Sequence, residues 1–388
     1  MNKYASILIF ALLFLIALKA QEKNSLDING QVSAWTVAGL NDPVLLQTGV
    51  RFVPALTGRY SLKNQQVFDT EVSLNLNGHL TFDDFQLSDS SFKVKPYRIW
   101  LRYSEEKFEI RAGLQKINFG SARLFRPLMW FDAMDIRDPL QLTDGVYGVL
   151  AKYFFENNAN VWLWGLIAND DPKGFESFGS SLYKPEFGGR IELPVGAGEI
   201  GLSYHHRTLR EDLNRFNMIL GKHEHLENRI GFNGKWDLGV GLWIEGSLSL
   251  VEPNYLSSFY FPLKTDMLNA GIDFTINIGN GLGGTLEYFR YHAGDKLFVD
   301  GSTAHVLGTM LNYPITLADN ISAMIFCIPA KNNTLWLNYL SWSRSYDDWT
   351  LYGIAFWNPE VYNLPSLQTA SRNLFAGKGL QLMVTYNF

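Results

Sequence analysis

Hydrophobic and polar residues alternate with a period of two along almost the whole chain. Leu268, Ala270, Ile272, Phe274, Ile276 and Ile278 alternate with Asn269, Gly271, Asp273, Thr275 and Asn277. Tyr97, Ile99, Leu101 and Tyr103 alternate with Arg98, Trp100 and Arg102, and Ile200, Leu202, Tyr204 and His206 with Glu199, Gly201, Ser203, His205 and Arg207. The last nine residues, LQLMVTYNF, place Leu380, Leu382, Val384, Tyr386 and Phe388 on one face. Successive side chains of a strand point to opposite faces, so each stretch predicts a strand with one apolar face. No long stretch keeps the 3.6-residue period of an amphipathic helix.

The breaks in this pattern are of two kinds. Short ones fall at 63–65, 104–106, 156–158, 195–197, 237–239, 279–281, 316–320 and 346–347. Longer, polar or Pro- and Gly-bearing ones lie near 39–46, 83–92, 118–144, 169–186, 209–224, 253–264, 293–302, 330–333 and 359–376. Eight hairpins and one lone strand at each end give 18 strands. The stretches near 303–313, 320–329 and 348–358 are apolar on both faces, which leaves 16 as the alternative. An even number of strands with short turns at one end and long loops at the other predicts an all-β transmembrane antiparallel β-barrel. In lipid every backbone N–H and C=O must be paired, and a closed sheet does this with an apolar outside. A soluble two-sheet sandwich requires neither the even count nor the sorting of loops. The terminal strand closes the ring on the first, with Tyr386 and Phe388 at a lipid interface. A terminal aromatic on such a strand also resembles the signal read by barrel assembly machinery.

Composition sharpens this picture. Aromatics make up 14% of 388 residues and glycine is abundant at 34, which suits hairpins and aromatic belts. The net charge of −5 and the lack of a basic run give no sign of nucleic-acid binding. Cys327 is the only cysteine, which excludes an intramolecular disulfide and a cysteine metal cluster. Lys3, the apolar run Ala5–Leu18 and the small Ala20 predict a cleaved signal peptide over residues 1–20, with an uncleaved anchor as the other reading. Residues 21–388 then form one barrel domain in a Gram-negative outer membrane. The expected partners are outer-membrane lipid, the assembly machinery and small hydrophilic solutes, with a homo-oligomer left open. No cofactor is expected.

A barrel of this size leaves an aqueous lumen, so its inward residues carry the function. Arg98, Trp100, Arg102, Arg111, Lys152, Arg190, Arg207 and Arg229 are the inward candidates for contact with a solute. Glu245, Asp273 and Glu287 form the expected opposing acidic wall, and charge separated across a pore orients dipolar or anionic solutes. The longest break, Asn118–Gly145, bears Phe119, Leu124, Phe125, Leu128, Trp130 and Phe131 among charged residues, which suits a folded functional loop. It is expected to fold inward after strand 5 and constrict the lumen, adding Arg123 and Arg126 to the basic track; an external flap is the alternative. Asp132, Asp135 and Asp138 offer partners that would cancel the loop arginines.

The stretch RAGLQKINFG (Arg111–Gly120), leading to DIRDP (Asp135–Pro139), resembles the alginate-export-like group of substrate-selective 18-stranded outer-membrane porins. The resemblance implies a passive channel lined by lumen arginines and defines no substrate. The expected function is a porin for small hydrophilic solutes with a tilt toward anionic or sugar-like ones. The rival is a barrel acting through its external loops as receptor, adhesin or secretion component. Ser203 and His205 share a face, but a wide pore does not exclude water and no third group is assigned, so no enzyme is expected. His223 and His225 share a face without a third ligand nearby, so no metal site is expected either.

Overall fold

The computed structural model describes residues 24–62, 65–212, 222–252, 263–299, 301–329, 333–362 and 374–388. The expected signal peptide lies outside the described residues. The strands are β1 (Asn24–Gly39), β2 (Leu45–Ser61), β3 (Val67–Asp83), β4 (Gln86–Glu105), β5 (Phe108–Gln115) and β6 (Val146–Phe154). They continue as β7 (Asn160–Leu166), β8 (Glu186–Val195), β9 (Gly198–Asp212), β10 (Lys222–Asp237), β11 (Gly241–Val251) and β12 (Lys264–Ile276). The last are β13 (Leu282–Gly294), β14 (Ser302–Pro314), β15 (Asp319–Ile328), β16 (Leu335–Ser345), β17 (Trp349–Trp357) and β18 (Lys378–Asn387).

Each strand pairs antiparallel with the next, and β18 pairs with β1, so the 18-stranded sheet closes into a barrel. Closure runs to the final residue. Gln31 lies opposite Asn387, and the Gly30 and Phe388 backbones exchange N–H···O=C bonds of 3.0 and 3.1 Å. A ring without edges leaves no row of unpaired backbone groups where its two ends meet.

The alternation in the sequence maps onto the two faces of this sheet. On β18, Leu382 is 67% exposed to the outside, while Gln381, beside it in the chain, is 5% exposed on the inside. Exposed Leu, Ile and Val cover the outer face, with Phe187, Tyr204, Trp336 and Trp357 toward the long-loop end. At the short-turn end Trp349, Tyr386 and Phe388 lie in a row, with ring centroids 4.7 and 6.2 Å apart, the second pair stacked. Aromatic rings flanking an apolar band are the arrangement a bilayer interface favours.

Two expectations change. The break near 83–92 is strand: β3 and β4 meet at a tight turn through Asp84 and Phe85, both with positive φ (46° and 64°). Two consecutive left-handed residues give the turn whose twist matches that of the flanking strands. The polar SDSS stretch reads as a loop but belongs to an exposed hairpin, with register shifts between Ser73 and Leu74 and between Thr81 and Phe82. The second change concerns the inside of the barrel. An open lumen would leave Asn269 solvated, yet it is 0% exposed, accepting from Trp243 Nε1 (3.0 Å) and donating to Glu287 (2.7 Å).

Candidate functional site: the inner wall and the loop between β5 and β6

The chain between β5 and β6, residues 116–145, packs on inward-facing side chains of the barrel wall. Two wall carboxylates hold it. Glu245 on β11 accepts the backbone N–H groups of Ser121 (2.8 Å), Ala122 (3.1 Å) and Leu128 (2.8 Å). Glu287 on β13 accepts those of Arg123 (2.6 Å), Leu124 (3.1 Å) and Phe125 (2.9 Å). An irregular segment has no ladder to satisfy its N–H groups, and these two side chains supply the missing acceptors. Gly120 makes the first contact possible. Its φ is +92°, and a Cβ there would collide with the Glu245 carboxylate. Asp273 on β12 pairs with Arg123. All three residues of the expected acidic wall thus engage the loop.

Apolar packing does the rest, on two sides. Leu124 and Phe125 join Phe289, Val306, Phe326, Leu337, Tyr339 and Phe356 in one buried cluster. Phe125 stacks on Phe289 with centroids 5.1 Å apart and meets the edge of Phe326 at 5.5 Å. This accounts for the strands that are apolar on both faces: their outward residues form the barrel's exterior and their inward residues pack on the loop. On the other side Phe119, Leu128, Trp130 and Phe131 pack on Val146, Leu150, Trp164 and Leu166. His205 sits beneath them, accepting from Trp164 Nε1 at 3.1 Å and bonded to Glu186 at 3.2 Å. Its neighbour in the nucleophile-and-base reading, Ser203, bonds instead to Arg190 (3.1 Å).

Besides Arg123, which pairs with Asp273 and stays exposed, the candidate cations fall into three groups. Arg98, Arg126 and Arg190 are buried. Arg98 donates to the Asp144 carbonyl (2.8 Å), the Thr143 carbonyl (3.0 Å) and the Thr143 hydroxyl (2.7 Å), clamping the end of the loop. Arg126 bonds Asn118 within the loop, and Arg190 pairs with Glu192. The second group is Arg207 and Arg229. Both pair with Glu227 on β10 and with Glu176, at 2.9 and 2.7 Å for Glu176, in a closed four-membered network. Glu176 lies between β7 and β8, so this network ties a second inward segment to the wall. In the sequence that segment carries no functional signal beyond its length.

The third group keeps access to the lumen. Arg102 pairs with Asp69 (2.7 Å) and reaches Glu109 at 3.6 Å. Glu109 also takes Arg111 (3.1 Å) and Lys152 (3.9 Å). Arg59 is on Asp69 at 3.1 Å. Trp100 lies under Arg111, 4.8 Å from ring centroid to guanidinium, and Trp162 under Lys152 at 4.0 Å. Four cations here face Asp69, Glu109 and the nearby Glu71, so one positive charge is in excess. The loop arginines divide: Arg137 pairs with Asp135 (2.8 Å), while Asp138 turns away to Arg51 (3.3 Å).

A further group was not singled out from the sequence. Asn312, Ser322, Ser341 and Ser343 point inward from β14, β15 and β16 and line a cavity of about 200 Å³ against loop residues Ile136 to Gln141. Their signal is faint, since serine and asparagine alternating with apolar residues mark an inward face but no particular task.

No protein-family model matches this chain, and no curated protein matches it. Its shape does match solved structures. Wzi of Escherichia coli, titled a carbohydrate-binding β-barrel involved in group 1 capsule assembly, aligns over 100% of this chain and 89% of its own at 12% identity, TM-score 0.56. OccK5 (OpdH) of Pseudomonas aeruginosa aligns over 93% and 98% at 11% identity, TM-score 0.56. An anion-selective porin from Comamonas acidovorans aligns over 94% and 100% at 12% identity, TM-score 0.51. At these identities the likeness is one of fold.

Proposed function

We propose that this chain is a porin of a Gram-negative outer membrane, passing small hydrophilic solutes by passive diffusion with a tilt toward anionic or sugar-like ones. The observation that carries the reading is the partly exposed charge cluster around Glu109 on the inner wall of a closed barrel. A passage that runs beside the loop, along β3–β6, offers water-filled space with one net positive charge and two indole faces. Such a surface favours an anion without trapping it, because every cation already has a carboxylate partner. In this reading the loop constricts the channel. The resemblance to the alginate-export-like porins agrees with the architecture. Export through a signal peptide over residues 1–20, insertion by the assembly machinery and residence in lipid belong to the same proposal.

Planar-bilayer recording of the refolded barrel tests it: defined open steps are expected, and a correctly folded protein that gives none overturns the channel. A second reading is favoured by one observation. The loop packs on walls at both sides of the lumen, and Wzi, of like fold, is titled a carbohydrate-binding barrel. A closed barrel that binds carbohydrate without conducting fits that packing, and the same recording separates the two.

A further inference from the structure

Polar atoms without a hydrogen-bond partner occur around the inner wall, Ser33 Oγ, Asn233 Oδ1, Gln381 Oε1 and Thr385 Oγ1 among them. The cavity between the loop and β14–β17 gathers several unpartnered side chains around one space. Asn312, Ser322 and Ser341 form a row across three neighbouring strands, with Asn312 opposite Ser322 and Ser322 opposite Ser341. Ser343 extends it one inward position along β16. The row lies just below the apolar row of Met310, Met324 and Tyr339, the last of which is buried in the cluster that packs on the loop. Among the described residues none of the four side chains makes a hydrogen bond within the protein. The loop adds Gln141, which is held in a left-handed conformation (φ 45°) by a turn in which its N–H donates to the Asp138 carbonyl at 3.0 Å. A non-glycine residue in that conformation is kept there by its surroundings. Its side chain is exposed and reaches the same cavity.

The charged lining groups are engaged elsewhere, Arg137 with Asp135 and Asp138 with Arg51. What the cavity offers is therefore hydroxyls and amides, which both donate and accept, beside the methionines, Ile354 and Tyr352. A carboxylate or phosphate only accepts and leaves amide oxygens unmatched. A sugar ring presents hydroxyls that do both, and an apolar C–H face. The volume, about 200 Å³, lies below the roughly 300–1,000 Å³ of pockets that enclose drug-sized ligands, and suits a single small ring. We propose that this cavity is a subsite for an uncharged sugar ring. The proposal rests on the porin reading and names which of its solutes the lumen recognises.

Two measurements on the full refolded barrel test it: calorimetric titration in detergent with glucose, maltose and glucuronate, and sugar-induced block of current in planar bilayers. Glucose or maltose should bind, glucuronate should bind no more tightly than glucose, and Ser322→Ala with Ser341→Ala should weaken neutral-sugar binding at least tenfold. Gln141→Ala, on the loop and clear of the barrel wall, should weaken it in the same direction if the wall variant folds poorly. Absence of neutral-sugar binding in the unsubstituted protein overturns the subsite, as does tighter binding of glucuronate that Lys152→Met abolishes. Binding without any conductance supports the subsite and overturns the channel. Conductance without sugar binding does the reverse.

Discussion

The two sides of the lumen solve the same problem in opposite ways. Along β3–β6, toward the short-turn end, the inward residues are charged, partly exposed and matched to one another, Arg102 with Asp69, Arg111 and Lys152 with Glu109, while Val146 and Leu150 further along β6 pack on the loop. Along β12–β17 the inward residues nearest the loop are apolar and buried against it, from Phe289 through Val306 and Phe326 to Phe356. Both sides obey the same alternation and present the same kind of apolar exterior. What separates them is how they meet the 116–145 segment, which buries the apolar inward residues of β13–β17 and leaves the charged cluster around Glu109 partly exposed. A barrel wall alone does not decide what its lumen is; the chain folded into it does.

The comparison breaks most severely if the loop is released. Glu245→Ala combined with Glu287→Ala removes the acceptors of six backbone N–H groups. Each orphaned buried donor costs about 1–3 kcal/mol, so the loop should leave its packed position. A several-fold rise in single-channel conductance, with a lower urea midpoint, is the expected outcome. Conductance that stays at the original level in the folded double variant means that the carboxylates do not hold the loop.

Phe125→Ala strikes the same side through packing alone. Truncating a buried Phe costs about 3–5 kcal/mol where the site cannot collapse, and Phe125 fills a space between Phe289 and Phe326 that closely abuts Gly308. Frequent brief openings to a larger conductance are expected in bilayer recordings, because the loop end near β13–β15 loosens while the Glu245 contacts remain. A trace identical to that of the original barrel would show that this packing is dispensable.

How much of this could be read in the sequence follows from what period-two alternation encodes. It reports which residues face out, and so it identified the barrel, the eight short turns and the closing role of Leu380–Phe388. It failed at Gln86–Ser91, where exposed hairpin and loop share a composition. It also says nothing of what an inward residue meets. Arg98 and Arg102 are two positions apart on one face, yet Arg98 is buried against Thr143 and Asp144 while Arg102 stays at the lumen surface. Glu245 and Glu287 read as field-setting acids, and only the fold reveals that they accept loop N–H groups. A trace of this was present in the inward glycines: a Cβ at Gly231 would strike Leu128, and one at Gly308 would crowd Phe125 and Leu124. Small residues on an otherwise large inward face marked where another segment docks.

The difference between those two arginines sharpens the comparison by a selectivity measurement. Arg102→Gln with Arg111→Gln leaves Asp69 and Glu109 with fewer cations on the charged side. Arg59 stays on Asp69 and Lys152 on Glu109, so neither carboxylate is left without a cation. Reversal potential in a salt gradient should move toward cation preference. Arg98→Gln should instead lower stability and leave the reversal potential where it was, because its charge is spent on the loop carbonyls. Equal shifts from Arg98 and from the Arg102–Arg111 pair would mean that the two sides are not distinct in the way described.

The smallest effect concerns Asp132, a buried carboxylate at the centre of the loop. Its Oδ1 accepts the N–H groups of Ala133 (2.9 Å) and Asp144 (3.1 Å), while Oδ2 has no partner. Burial raises its pKa above the ordinary 3.8, against the opposing pull of Lys116 and Arg98. An acid whose pKa rises on folding holds more protons folded than unfolded between the two values. Its contribution to stability therefore falls as pH rises through that window, beginning near the unfolded value, and levels off above the folded one. Asp132→Asn keeps the oxygen that accepts both N–H groups and removes the titration. Subtracting its urea-midpoint curve from that of the original protein between about pH 3 and 7 should give a difference that declines with pH. A difference that rises instead would mean that Lys116 and Arg98 outweigh burial. Asp132→Ala supplies the control, since it strands both N–H groups and should be less stable at every pH, without the slope.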